Sequence, residues 1–205
     1  MAFDSKDTAA FKGVWVFCEQ RNGEIQSISY QLLSEGRKLA NDLGTDLCGL
    51  LLGTDIKEED IKKLGGYGAD TIINVNHPLL KDYTTDAYTK ALCDVVENKK
   101  PAMVLIGATN IGRDMAPRCA ARLHTGLTAD CTHLDVDVEK YKAFLKSVST
   151  LDVDNMEFEE NDNLKMTRPA FGGHLMATII CPRFRPQMST VRPGVMEMQA
   201  FDQAG

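Results

Sequence analysis

Short apolar runs alternate with amphipathic stretches along residues 13–126, and this alternation constrains the fold more than any other feature. Continuous apolar runs are typical of strands covered on both faces of a parallel sheet. Strands that alternate with helices predict right-handed crossovers, helices on both faces, and a ligand or partner surface at the carboxyl edge. The predicted strands are residues 13–18, 46–52, 70–75 and 102–107, and the predicted helices begin near residues 25, 57, 84 and 113.

The turn after the fourth strand contains two glycines, Gly107 and Gly112, followed by Arg113 and Asp114. Open α/β sheets bind anions where a strand is followed by a glycine turn and the amino end of a helix. A P-loop, however, needs Lys and Ser or Thr where Arg113 and Asp114 stand. The alternative is that the glycines only let strand and helix pack closely, and the spacing favours neither role. Because Pro117 cannot donate a helical hydrogen bond, we expect the helix to begin near Arg113.

Beyond residue 130 the pattern changes. Residues 134–138 and 143–150 alternate with period two, which predicts a partly exposed antiparallel ribbon and hence a C-terminal antiparallel extension of the α/β fold. Residues 165–181 read as a basic loop that leads into an apolar strand. Residues 182–194 are rich in arginine and proline, and residues 196–205 show no strand or helix pattern, as is typical of a junction.

The formal charge of −6 and the pI near 5.2 argue against nucleic acid or an anionic membrane surface as the main partner. The polar, acidic N-terminus and the lack of a long apolar run predict a cytoplasmic protein without membrane insertion. The six cysteines form no Cys-x-x-Cys pair and suit buried free thiols. The histidines show no metal spacing, and we identify neither a metal site nor a catalytic residue. Arginines are the conspicuous charged groups.

Five segments resemble the N-terminal domain of the α subunit of electron-transfer flavoproteins. They are residues 107–123, 125–132, 167–173, 176–179 and 191–195. The resemblance implies an adenine-nucleotide-hydrolase-like α/β domain over residues 1–190 and a junction over residues 191–205. The family's C-terminal FAD-binding domain would follow that junction and is absent from this sequence.

The resemblance also implies partners and cofactors. It implies a β subunit of related fold, and an acyl-CoA or other dehydrogenase as the electron donor. FAD would be held by the absent domain and by the β subunit, not by this segment alone, and AMP could lie in the β subunit. Both functional branches of the family stay open: simple electron carriers, and bifurcating forms that send electrons from NADH to ferredoxin. The chain would be an oxidoreductase subunit without catalytic residues of its own.

By resemblance to the bifurcating branch, Arg168 reaches across the subunit interface toward the flavin of the β subunit. Thr167, Gly172 and Gly173 belong to the same loop. The alternative role of Arg168 is an ion pair with an interface carboxylate. The residues expected at the subunit interface are Arg113, Asp114, Asp130 and Arg192.

Two other functions stay open on the sequence alone. The chain could be a freestanding adenine-nucleotide-binding domain, in which case the turn from Gly107 to Asp114 would have to accept phosphate. It could also be a purely structural half of the heterodimer that touches no cofactor.

Overall fold

The computed structural model describes residues 3–203. In chain order the strands are β1 (Val14–Cys18), β2 (Gln20–Arg21), β3 (Glu24–Ile25), β4 (Leu47–Gly53), β5 (Thr71–Asn76), β6 (Met103–Gly107), β7 (Leu127–Cys131), β8 (His133–Asp135), β9 (Lys165–Ala170), β10 (Leu175–Ile179) and β11 (Gln187–Val191). The helices are α1 (Ser27–Leu43), α2 (Glu58–Gly65), α3 (Thr85–Lys99), α4 (Asn110–Arg122) and α5 (Val138–Val148).

Within the described residues, six strands form a parallel sheet in the order β5-β4-β1-β6-β11-β7. Strand β1 shows why both faces must be covered, since its side chains alternate between two buried clusters. Val14 and Val16 pack with α1 and α2, whereas Trp15 and Phe17 pack with α3 and α4. The predicted α/β fold, with a mostly parallel sheet and helices on both faces, is confirmed.

A small antiparallel sheet, in the order β10-β9-β8, provides the predicted antiparallel extension. It joins the large sheet through β7, because the Thr132 N–H donates to the Thr167 carbonyl at 2.9 Å. The prediction of a loop before a single apolar strand was wrong here. Residues 165–179 form a β-hairpin in which β9 and β10 pair around the turn at Phe171–Gly173.

Helix α4 begins at Asn110, three residues before the predicted start. The Thr109 side chain accepts a hydrogen bond from the Gly112 N–H at 3.1 Å and so caps the helix. Pro117 lies inside the helix, where it leaves the Arg113 carbonyl without its usual helical donor. Pro117 is exposed, so water can reach that side of the helix.

Two other predictions for the C-terminal part were wrong. Residues 143–150 do not pair with residues 134–138, because residues 138–148 form helix α5, whose first turn is capped by Asp137. The composition of residues 182–194 predicts an irregular tail, but residues 187–191 form β11, a fully buried strand between β6 and β7.

Residues 194–202 lie across α1 and the glycine turn after α2, without forming a strand or helix. The Gln199 N–H donates to the Ser34 hydroxyl at 3.0 Å, and the Asp202 N–H donates to the Gly66 carbonyl at 2.9 Å. The Phe201 ring packs on Tyr67 with 5.5 Å between ring centroids. This tail is therefore fixed to the domain at several points.

None of the helices in residues 3–203 combines the length and the apolar character that a membrane crossing would need.

Candidate functional site

The strand order reverses between β1 and β6. From β1 the chain proceeds to β4 and β5 on one side, with α1 and α2 on one face, and then returns to β6 on the other side. In open α/β sheets, ligands bind at the carboxyl ends of the two strands that flank this switch point. In this chain Glu19 follows β1, and Ala108 and Thr109 follow β6.

The Glu19 carboxylate lies at this switch point, since it contacts Thr109, which follows β6. Its Oε2 accepts a hydrogen bond from the Thr109 hydroxyl at 2.5 Å, and its Oε1 accepts two from Arg21, at 2.8 and 2.9 Å. Glu19 is only 1% exposed. A buried carboxylate needs paired, hydrogen-bonded partners, and Thr109 and Arg21 supply them.

The two glycines of the turn serve close packing. A Cβ on Gly112 would lie 1.8 Å from the Gly107 carbonyl oxygen, and a Cβ on Gly107 would lie 2.6 Å from the Ile28 side chain. Because neither glycine has a side chain, the turn can lie directly against β6 and α1. This packing is the structural role that the spacing left open.

A second set of charged residues lies at the same carboxyl edge, around Asp130 in β7. Arg192 donates to both carboxylate oxygens, at 2.6 and 3.2 Å, and Arg113 Nη2 lies 3.5 Å from Oδ1. The hydrogen bonds from Arg192 hold the pKa of the Asp130 carboxyl below its usual value, and the charges of Arg113 and Arg168 act in the same direction. We call these four residues the arginine cluster, which carries three positive charges and one negative charge.

Arg168 is the member of this cluster without a direct carboxylate partner in the described part of the chain. Its Nε is buried and makes no hydrogen bond within residues 3–203. Its charge is close enough to oppose the effect of burial, which raises the pKa of the Cys131 thiol to about 12. The residue as a whole is only half-buried, and the guanidinium group has further N–H donors besides Nε.

The hairpin places the other predicted loop residues in different environments. Thr167 is buried, and its hydroxyl lies 2.8 Å from the Thr178 hydroxyl on β10. Gly172 and Gly173 are exposed in the hairpin turn, with φ values of 66° and 91°. Both glycines thus allow the turn itself, since few other residues adopt these angles.

Large apolar side chains are exposed on this hairpin and just after it. We call them the hairpin patch: Phe171, Leu175, Met176, Ile179 and Ile180. Phe171 is 80% exposed. Strand β10 is also an edge, because within residues 3–203 it pairs only with β9. Large exposed apolar side chains on an open strand edge are typical of an interaction surface.

Three of the four predicted interface residues lie together, namely Arg113, Asp130 and Arg192. Asp114 points elsewhere and accepts hydrogen bonds from the Thr85 and Tyr83 hydroxyls, each at 2.5 Å, which lower the pKa of its carboxyl. It thus ties α4 to the start of α3. The sequence analysis missed Glu19 and the hairpin patch. A glutamate directly after a buried strand is a signal that could have drawn attention to Glu19.

No group of three or more His, Cys, Asp or Glu side chains within residues 3–203 is arranged to hold a metal ion. All six cysteines lie in this part of the chain as free thiols, and five of them are buried.

The sheet order and the switch-point crevice define a doubly wound α/β protein, with an arginine-rich carboxyl edge and an exposed apolar hairpin. Residues 14–205 match the electron transfer flavoprotein domain, and the chain belongs to that family.

Several curated relatives are similar over nearly the whole chain. The acryloyl-CoA reductase electron transfer subunit beta of Anaerotignum propionicum is 65% identical over 204 residues, which cover 99% of this chain and 55% of that protein. The protein FixB of Clostridium saccharobutylicum is 52% identical, over 96% of this chain and 52% of that protein. The electron transfer flavoprotein subunit alpha of Clostridium acetobutylicum is 49% identical, over 92% and 50%. The chain spans about half the length of these relatives.

Proposed function

We propose that this chain is the N-terminal part of an α-type subunit in a heterodimeric electron-transfer flavoprotein. Such a protein passes electrons through FAD between dehydrogenases and an acceptor. The family match and the five resembling segments support the proposal. The names of the relatives use both alpha and beta, so the α-type assignment rests on the resembling segments and on the relatives named subunit alpha.

The observation that carries this proposal is the hairpin patch beside the arginine cluster. Strand β9 bears Arg168, and its partner β10 presents Leu175 and Met176 with more than a third of each side chain exposed. An apolar centre with neighbouring arginines is the composition of a protein interface. We infer that the hairpin patch is the surface of this chain that binds the second subunit.

The arginine cluster suits a flavin held by that second subunit. Arg168 carries a permanent charge and a buried Nε that has no partner in the described chain. When bound, FAD supplies the redox chemistry, and its reduced form is negatively charged at neutral pH. Arg168 would stabilise that charge, while Asp130 and Arg192 position the edge of the sheet from which it reaches out. A bifurcating form, which passes electrons from NADH to ferredoxin, would use the same arrangement.

The heterodimer interface can be tested by co-purification of the two subunits. Met176→Glu places a charge in the hairpin patch and should weaken association with the second subunit at least tenfold, which corresponds to about 1.4 kcal/mol. Leu79→Glu is the matched control, because Leu79 is equally apolar and 69% exposed but lies between β5 and α3. It should leave association unchanged.

Equal association of the Met176→Glu variant and the original chain would remove the hairpin patch from the interface. The reduction potential of the flavin in the assembled heterodimer distinguishes a purely structural role of this chain from a role in electron transfer.

A further inference from the structure

Glu19 stands where an open α/β sheet of this topology binds its ligand. It follows β1 directly, and Thr109 follows β6, so the hydrogen bond between the two side chains spans the switch point. The backbone of Glu19 is held as well, since its carbonyl accepts hydrogen bonds from the Gln26 N–H at 2.9 Å and the Ser29 hydroxyl at 3.1 Å. The backbone of Glu19 is therefore held by the start of α1, and its carboxylate is held by Thr109 and Arg21.

The surroundings of this carboxylate are those of an anion site. Thr109 caps the 13-residue helix α4, whose amino end carries partial positive charge. Arg21 contacts the carboxylate directly. Arg21 also lines a cavity of about 300 Å³, together with Lys81, Asn110 and one acid, Asp82. The anion that Arg21 binds is the chain's own Glu19.

We propose that Glu19 is a specificity-determining residue, an internal carboxylate that occupies the anion position of the switch-point crevice and excludes phosphate groups. The ligand class kept out is a nucleotide phosphate. A phosphate at this position would have to displace a buried carboxylate from Thr109 and Arg21, and it would then face a second negative charge. This chain thus retains the nucleotide-binding topology while its own side chain fills the phosphate position.

Replacing Glu19 tests this role through a gain of binding. Glu19→Gln keeps the size of the side chain and removes its charge, so that Arg21 and the α4 amino end are left without their anion. We expect the full chain carrying Glu19→Gln or Glu19→Ala to bind ATP, AMP or inorganic phosphate at least tenfold more tightly than the original chain, measured by isothermal titration calorimetry. Adding Arg21→Ala to Glu19→Gln should reverse most of this gain.

Glu35→Gln is the matched control. Glu35 is also a buried glutamate, but it lies on α1 and pairs with Lys38. It should gain no phosphate binding. A folded Glu19→Gln chain that binds these probes no better than the original would overturn the proposal. Loss of folding in both Glu19 variants would also overturn it, because Glu19 would then be required for the architecture itself.

Discussion

Arg192 donates two hydrogen bonds to the Asp130 carboxylate, from Nη2 at 2.6 Å and from Nε at 3.2 Å. Asp130 has a φ of 62°, at the point where the pairing of β7 with β11 changes register. Its N–H donates to the Thr190 hydroxyl at 2.9 Å, and the Arg192 N–H donates to the Cys131 carbonyl. The ion pair thus closes an irregular junction of two strands, next to the strand that carries Arg168.

The Asp130 pair should make stability depend on pH in the acidic range. Its pKa in the folded state lies below the unfolded value, so the ionised carboxylate stabilises the fold above pH ~4. This stabilisation is lost as the pH falls through the lower folded pKa. Asp130→Asn should therefore reduce the free energy of unfolding at pH 7, and by a smaller amount between pH 4 and pH 3. Urea unfolding at each pH measures the difference.

Asp82→Asn is the control for this experiment, because Asp82 is exposed and its carboxyl lies outside the arginine cluster. It should leave the pH profile unchanged. A difference between the original chain and Asp130→Asn that stays constant from pH 7 to pH 3 would show that the ion pair contributes nothing.

Gly112→Ala should destabilise the fold strongly. The added Cβ would meet the Gly107 carbonyl oxygen at 1.8 Å, and this neighbour is backbone that cannot rotate away. Overpacking of a core commonly costs 1–3 kcal/mol, and we expect about 3 kcal/mol or more here. Gly126→Ala is the control, since the nearest atom to its added Cβ is the Cys181 sulfur at 3.5 Å, and we expect a change within ~0.5 kcal/mol. Similar unfolding midpoints for the two variants would contradict close packing at the turn.

The four strands of the large sheet and the three helices up to residue 107 could be predicted because their apolar periodicity is strong, whereas the two-residue strands β2 and β3 were not predicted. Strand β11 could not be, because its buried positions are largely polar. Gln187 and Thr190 are each 1% exposed, and their hydrogen-bond partners, the Leu164 and Asp130 N–H groups, are distant in sequence. A polar segment next to Pro186 reads as a loop until these partners are known.

Helices α4 and α5 show a second limit of the sequence. Thr109 and Asp137 cap them through local hydrogen bonds, which compete with the signals from Pro117 and from the period-two pattern in residues 143–150. Prediction of the candidate site from the sequence had the same limit. Arg113, Asp130 and Arg192 were recognisable by charge and resemblance, whereas the Glu19–Thr109 contact joins residues 90 positions apart.

Gly66→Ala should release the C-terminal tail without unfolding the sheet. Gly66 has a φ of −62°, which alanine tolerates, but the added Cβ would lie 2.2 Å from the Phe201 ring and 2.7 Å from the Asp202 carbonyl oxygen. The tail would have to move. We expect the Gln199 and Asp202 amide hydrogens to exchange several-fold faster, whereas those of β1 and β4 keep their rates.

Gly126→Ala again serves as the control and should leave these exchange rates unchanged. If the exchange of Gln199 and Asp202 is the same in the Gly66→Ala chain, the tail contacts do not hold in solution.

The sharpest prediction concerns Arg168 and the flavin proposed for the second subunit. Removing its positive charge should disfavour the anionic reduced flavin and lower its reduction potential. At an effective dielectric near 20, unit charges about 4 Å apart interact by roughly 4 kcal/mol. Since about 30 mV corresponds to 1.4 kcal/mol for a two-electron couple, Arg168→Ala should shift the potential by tens of mV. Arg168→Lys keeps the charge but not the planar donor fork and should shift it less.

Arg122→Ala is the matched control, because it removes the same charge at the far end of α4. Potentials are measured on the purified heterodimer, after size-exclusion chromatography shows that each variant is assembled. The original chain and Arg122→Ala should agree, with Arg168→Ala lower. An unchanged potential in an intact Arg168→Ala heterodimer would assign Arg168 to the interface alone, as the partner of a carboxylate on the second subunit.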